Sequence, residues 1–321
     1  MKIDIKNKLI LAPMAGYSDQ AFRRLCFEHG ADIAYSEMVS AKALHYNDWK
    51  TKELLFVAKD EPKVAIQIFG SELEPLKNAV LYLNDDDRVD IIDFNLGCPA
   101  PKIVKNNEGA ALLKDLSKVY SLVKGMKEVS KKSLSVKMRI GIDGNNNYLE
   151  TAKILEDAGA DFVIVHGRTR EMYYSGETNW EAIGEIKNAL HIPVVGNGDI
   201  VTPEDAKKAY DTYKVDALMI GRGCVGRPYL FSEIKEYLAT GSYGTTSLKE
   251  HFEILIKHID LECELKGENV GIREMRKFIH AYIKGMDNSA VIKNKVNSIT
   301  DVQVLKEYLF DYMEQLLTLE D

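Results

Sequence analysis

Residues 91–97 read IIDFNLG, and the reading of this run decides the fold. It is short, apolar nearly throughout and closed by a glycine, which suits a strand buried on both faces. Asp93 and Asn95, two apart, share one face of it. Seven more runs of the same kind recur: LILAPMAG (9–16), IAYSEM (33–38), VAIQIFG (64–70), SVKMRIG (135–141), FVIVHGR (162–168), PVVGNGDI (193–200) and ALMIGRG (217–223). Helical patterns separate them, among them LEPLKNAVLYL, LSKVYSLVKGMKEV, YLETAKILEDAG and PEDAKKAYDTY. Strands alternating with helices pair in parallel. Eight such units in about 220 residues predict an α/β fold, a (β/α)8 TIM barrel. The rival is an open doubly wound sheet. No GxGxxG follows the first strand, and polar residues close nearly every run rather than one switch point, so the barrel is preferred.

The barrel is expected to fill residues 1–240, and the pattern changes after Gly244. Residues 245–321 hold no proline and three glycines. Phe252, Leu255, Ile256, Ile259 and Cys263 fall on one helix face, and Val302, Leu305, Leu309, Met313 and Leu316 on another. A small helical domain over 245–321 follows.

At 45% hydrophobic, 321 residues can bury a large core. Four cysteines without CxxC spacing fit a reducing, cytoplasmic setting and argue against zinc or a disulfide framework. The opening MKIDIKNKLILAPMAG has too short an apolar run for a signal peptide, and no run of about 18 apolar residues predicts a membrane span. A formal charge of −7 leaves any nucleic-acid contact to a local patch. No long apolar stripe is left over, so a monomer is expected.

In a barrel, the polar residues at the ends of the runs meet at one mouth. Lys137 and Arg139 share a face, as do His166 and Arg168, and Gln67 sits between two isoleucines. A lysine, two arginines and a histidine gathered there call for an anionic or electron-rich ligand. GNGDI (196–200) and GRG (221–223) follow the last two strands, where barrels often hold phosphate on backbone N–H groups. A phosphorylated cofactor across the mouth is expected, and flavin mononucleotide (FMN) fits, with Lys137 balancing negative charge on the reduced ring.

LAPMAGYSD, DFNLGCPAPKIVKNNEGAALL, VKMRIG, VHGRTREMYYSG, VVGNGDI and ALMIGRGCVGRPYLF, in this order, resemble a bacterial tRNA-dihydrouridine synthase, nearest the B-type subgroup. The resemblance spans nearly the whole chain. It implies an FMN enzyme, reduced by NADPH, that reduces the C5–C6 double bond of a uracil base in RNA. By the family pattern, Pro13, Met14, Ala15, Gln67, Lys137, His166, Asn197, Gly198, Asp199, Gly221 and Arg222 contact FMN. Cys98 is the implied proton donor, with Asn95 beside it and Arg139 near the base. A thiol of ordinary pKa is mostly protonated at neutral pH and can act as a general acid. Arg168 is placed with the substrate, and Lys102 and Lys105 with RNA phosphates. In REMRKFIHAYIKG, Arg273, Arg276, Lys277, His280 and Lys284 form one basic stripe, read here as acid-free, although residues 245–321 hold 14 acidic against 10 basic residues. The residues suit ribosomal RNA as well as tRNA; the resemblance points to tRNA. Competing readings are a flavin barrel for a free small molecule, a Schiff-base barrel using Lys137, and a catalytically idle RNA-binding module.

Overall fold

The computed structural model describes residues 3–320. It divides into two compact units, Met1–Arg222 and Gly223–Asp321. The helix Leu230–Thr240 therefore belongs with the second unit, whereas the sequence reading ended the barrel at 240.

The first unit is a closed ring of parallel strands: β1 (Leu9–Leu11), β2 (Ile33–Tyr35), β4 (Val64–Phe69), β5 (Val89–Leu96), β6 (Ser133–Arg139), β7 (Phe162–His166), β8 (Val194–Asn197) and β9 (Ala217–Ile220). The pairing of β1 with β9, Ile10 opposite Met219, closes it. Each of the eight runs supplies one strand. A further strand, β3 (Val39–Ser40), pairs with Ile68 and Phe69 on β4 outside the ring; two residues carry no periodic signal, so the sequence did not predict it. Six of the strands are shorter than the runs that hold them, while β5 and β6 begin two residues before theirs. Pro13 cannot continue the ladder after β1. After β8, Gly198 and Asp199 take left-handed φ values of 136° and 50° and turn the chain away.

Register sets what fills the ring. Inward residues lie side by side: Ile10 beside Ile33, Asp93 beside Ser135, Asn95 beside Lys137, Ile164 beside Val195 and His166 beside Asn197. The lower interior is apolar, packed by Ile10, Ile33, Ile91, Phe162, Val195 and Met219. Toward the C-terminal ends of the strands the inward positions turn polar. The outer helices are amphipathic and capped. Leu116–Val129 buries Val119, Leu122, Val123 and Met126, and the Asp115 side chain accepts from the Lys118 amide.

The second unit is all helix: Leu230–Thr240, Leu248–Lys266, Glu268–Tyr282, Ser289–Val296 and Val302–Glu320. Phe252, Leu255 and Ile259 are buried as the helix face required, as are Leu305, Leu309, Met313 and Leu316. Gly271 lets two helices touch: a Cβ there would lie 2.8 Å from the Cys263 Cα. Among the described residues no helix is long and apolar enough to cross a membrane.

One buried ion pair ties the irregular segment before β4 to the first helix. Arg23 Nε and Nη2 donate to Glu61 at 2.7 and 3.1 Å, with side-chain exposures of 3% and 0%. Arg23 also donates to the carbonyls of Ser18 and Phe56, and Glu61 accepts from the Ala58 amide. Glu61→Ala leaves the guanidinium buried without its counter-charge and should cost about 3–5 kcal/mol in urea unfolding. A loss below about 1 kcal/mol would mean that Arg23 is satisfied by the carbonyls alone.

Candidate active site

The mouth of the ring is built on inward side chains from neighbouring strands. Gln67 (β4), Asp93 and Asn95 (β5) and Ser135 (β6) form one hydrogen-bonded set. Gln67 Nε2 donates to Asp93 Oδ2 at 2.6 Å, and Ser135 Oγ to Asp93 Oδ1 at 2.6 Å. Asn95 Nδ2 donates to Gln67 Oε1 at 2.7 Å. Asn95 Oδ1 then accepts the backbone amides of Gly97 and Cys98 at 3.0 and 2.9 Å. Cys98 thus sits at the end of β5, on a loop held from below. Its thiol is half-buried, and burial pushes its pKa up from the ordinary thiol value, although Arg139 and Lys137 pull the other way.

Lys137 Nζ donates to Asn197 Oδ1 at 3.0 Å; Asn197 Nδ2 donates to the Met219 carbonyl at 2.8 Å, which fixes the orientation of that amide. Burial, then repulsion from Arg139, brings Lys137 down to about 8. Burial, joined by Lys137, Arg139, Arg168 and Arg222, holds His166 well below its usual value, so it is neutral near pH 7. Arg139 spends its guanidinium on the backbone. It donates to the carbonyls of Gly97, Thr169 and Tyr173 at 2.7–2.9 Å, and so joins the cysteine loop to the loop after β7.

Arg168 departs from expectation. Its side chain is 2% exposed and bonded to Asp199, Thr178 and the carbonyls of Ser175 and Gly176. It lies beyond the end of β7, where the guanidinium turns to Asp199, so its donors serve loop structure rather than a substrate. Burial works to raise the Asp199 carboxyl, but hydrogen bonds from Arg168 and Thr178 outweigh it and keep the group below the usual carboxylate range. Arg222 reaches the same carboxylate at 3.2 Å and remains 54% exposed.

The residues expected around a phosphorylated ligand lie along the rim. Gly198 and Asp199 follow β8, and Gly221 and Arg222 follow β9. Pro13, Met14 and Ala15 follow β1, and a Cβ added at Gly221 would lie 3.6 Å from Met14 Sδ. Lys102 and Lys105 are exposed on the short helix Pro101–Lys105 just past Cys98. The sequence reading missed Ser135, although it stands two before Lys137 on the same face. It also missed Tyr174, whose ring lies 4.7 Å from the Arg222 guanidinium and 5.7 Å from that of Arg139. No periodic signal marks a loop tyrosine.

In the second unit, the basic stripe lies on the helix Glu268–Tyr282 and just past its end. It is not free of acid: Lys277 pairs with Glu274 at 3.7 Å, one turn back. Arg276 is half-buried and donates to the Ile299 carbonyl at 3.4 Å. Arg273 and Lys284 are exposed.

A sequence model described as dihydrouridine synthase matches residues 10–317. The chain is 36% identical over 318 residues to a probable tRNA-dihydrouridine synthase of Rickettsia conorii, covering 98% of this chain and 96% of that one. It is 37% identical over 315 residues to tRNA-dihydrouridine synthase B of Shewanella oneidensis, covering 97% and 98%. Among solved structures, histamine dehydrogenase from Rhizobium sp. 4-9 matches with a TM-score of 0.55 at 13% identity. That match covers 85% of this chain and 49% of the other, about half its length, and is a likeness of fold. A family match running from the first barrel strand into the last helix, with relatives alike over almost their full length, places the chain in the dihydrouridine synthase family.

Proposed function

We propose that this protein reduces uridine to 5,6-dihydrouridine in tRNA, with FMN as bound cofactor, NADPH as reductant and Cys98 as proton donor. The tRNA substrate is taken from the names of the relatives. The observation that carries the chemistry is the half-buried Cys98 thiol, raised above its ordinary pKa at the open end of a cationic barrel. A thiol in that state keeps its proton at neutral pH and can give it up to a carbon that has just received hydride.

The residues present fit FMN. Lys137 is a half-buried ammonium brought down to about 8 by desolvation and by the charge of Arg139. A flavin that becomes anionic on reduction balances that ammonium. His166, held neutral, offers a hydrogen bond without adding charge. Exposed Arg222 stands beside the loops after β8 and β9, where a phosphate is expected. FMN bound there would supply the hydride, with NADPH as its reductant. Lys137 offsets the negative charge, and Asn95 holds the cysteine loop. Cys98 gives its proton to the uracil carbon opposite the one that takes hydride, and the thiolate is reprotonated from solvent. The base must leave the RNA stack to reach these groups. Lys102 and Lys105 on the barrel, and Arg273 and Lys284 on the helical unit, take RNA phosphates.

The decisive experiment is single turnover without oxygen: reduced enzyme is mixed with unmodified tRNA and flavin reoxidation is followed. Cys98→Ala should retain FMN and its reduction by NADPH but lose reoxidation by about 10²-fold or more. Cys98→Ser should be nearly as slow, because a hydroxyl is a much weaker acid. The native rate should stay level from about pH 6 to about pH 8 and fall only above the ordinary thiol range near 8.5, since the folded pKa lies above it. Native reoxidation by Cys98→Ala would falsify the assignment.

Lys137→Ala should weaken FMN retention or slow its reduction by about tenfold or more. A variant that stays yellow and is reduced at the native rate removes Lys137 from the cofactor site.

Arg276 and Lys277 are half-buried, whereas Lys284 and Arg273, whose Nε donates to the Asn269 carbonyl, are exposed, so the better test of RNA contact is Arg273→Glu with Lys284→Glu. The pair should weaken tRNA binding and flatten its salt dependence by about one to two in log–log slope, while NADPH oxidation with a small artificial acceptor continues. Identical binding curves at two salt concentrations would leave these residues as a solvated face.

A further inference from the structure

The hydrogen bonds beneath Cys98 run in one direction. The backbone amides of Gly97 and Cys98 can only donate, so the Asn95 atom they meet at 3.0 and 2.9 Å is its oxygen. The Asn95 nitrogen then faces the other way, to Gln67 Oε1 at 2.7 Å and Met38 Sδ at 3.9 Å. That leaves the Gln67 nitrogen facing Asp93 at 2.6 Å. Such a chain needs a terminus that accepts, and Asp93 is one, fully buried at 0% exposure. Its second oxygen takes the Ser135 hydroxyl at 2.6 Å, and the Tyr35 hydroxyl stands 3.2 Å behind Ser135. With the Ser135 hydrogen committed to Asp93, Tyr35 is the donor there.

We infer that Asp93 is a positioning residue for Cys98: it sets the direction of the Gln67 and Asn95 amides and so holds the backbone that carries the thiol. The catalytic half of this inference rests on the reading of Cys98 as proton donor; the hydrogen-bond half does not. Burial pushes the Asp93 carboxyl up to about 7, against the pull of Ser135, Gln67 and the Lys137 ammonium. Burial, then Asp93, keeps Tyr35 neutral, so its hydroxyl can donate to Ser135 or accept from it. A proton taken up by Asp93 sits on the oxygen facing Ser135, whose hydroxyl rotates toward Tyr35. Gln67 still meets an oxygen, so the chain keeps its direction in either charge state.

The test exchanges the two ends. Asp93→Asn combined with Asn95→Asp builds the same chain running backwards. The carboxylate then lies under Gly97 and Cys98, and an amide at position 93 donates to Gln67 and accepts from Ser135. Urea unfolding of the FMN-free protein reads the chain without flavin, RNA or thiol chemistry. Asp93→Asn alone should change the folded-to-unfolded ratio about threefold or less, because an amide can offer oxygen to Gln67 and nitrogen to Ser135. Asn95→Asp alone should lower it about tenfold or more, since two carboxylates then compete for one amide. The exchanged pair should regain most of that loss; if Asn95→Asp does not fold, the pair should still fold. Losses that merely add, or a pair that also fails to fold, overturn the inference.

With FMN-loaded protein and saturating tRNA, flavin reoxidation should slow about tenfold or more in Asn95→Asp and recover in the exchanged pair, at unchanged tRNA affinity. A pair as stable as the native protein whose rate does not recover cuts the link to Cys98. Cys98→Ala in the native background separates the two ideas: native activity there sinks the proton-donor reading, while the urea cycle still decides the hydrogen-bond chain.

Discussion

A closed ring of parallel strands has one dry interior, and every second residue of every strand must enter it. Most of the first unit follows from that constraint. Low in the ring it selects isoleucine, valine, phenylalanine and methionine. Higher up it receives Gln67, Asp93, Asn95, Ser135, Lys137, Arg139, His166 and Asn197, none of which is tolerated there without partners. Gln67, Asp93 and Ser135 find partners sideways, because register puts them next to one another; Lys137 reaches across β7 to Asn197, and Arg139 turns to loop carbonyls. The polar cluster is thus a product of the closure rather than an addition to it.

The same constraint divides the cations into two kinds. Arg168 is saturated by Asp199, Thr178 and two carbonyls, and Arg139 commits one hydrogen of each of its three nitrogens to a carbonyl, so both act as pins between loops. Lys137 holds a single amide oxygen, and Arg222 a carboxylate edge and an aromatic face, so both retain donors for a ligand. A guanidinium has five hydrogens in a rigid fork, so a buried one can pin several loop groups at once, while an exposed one such as Arg222 keeps donors over.

Much of this was legible in the sequence. The eight strands were visible because each is an apolar run bounded by turn residues, and the mouth because a period of two projects Lys137 with Arg139 and Asp93 with Asn95 onto one face. What escaped depends on distance across the chain. Arg168 cannot be separated from Arg139 by spacing, since its partner Asp199 is 31 residues away. The Arg23–Glu61 pair spans 38 residues and an irregular segment. On the tail helix, the spacing placed the basic residues correctly, but the acid one turn from Lys277 was overlooked and the Ile299 carbonyl that engages Arg276 lies outside any helical period. The boundary between the units was read from glycines near 241–244, whereas compactness divides the chain after Arg222.

The lowered pKa of half-buried Lys137 carries a consequence for binding equilibria. Its pKa of about 8 in the ligand-free protein lies more than two units below an exposed lysine. An anion settling beside it favours the charged form, so near and above pH 8 association draws a proton from solution. By linkage, affinity is at its full value below about pH 8. It then declines by up to tenfold per pH unit above it, until the pH reaches the raised pKa of the complex. One half-buried amine at the mouth of the ring thus makes uptake of an anionic ligand a measurable proton sink.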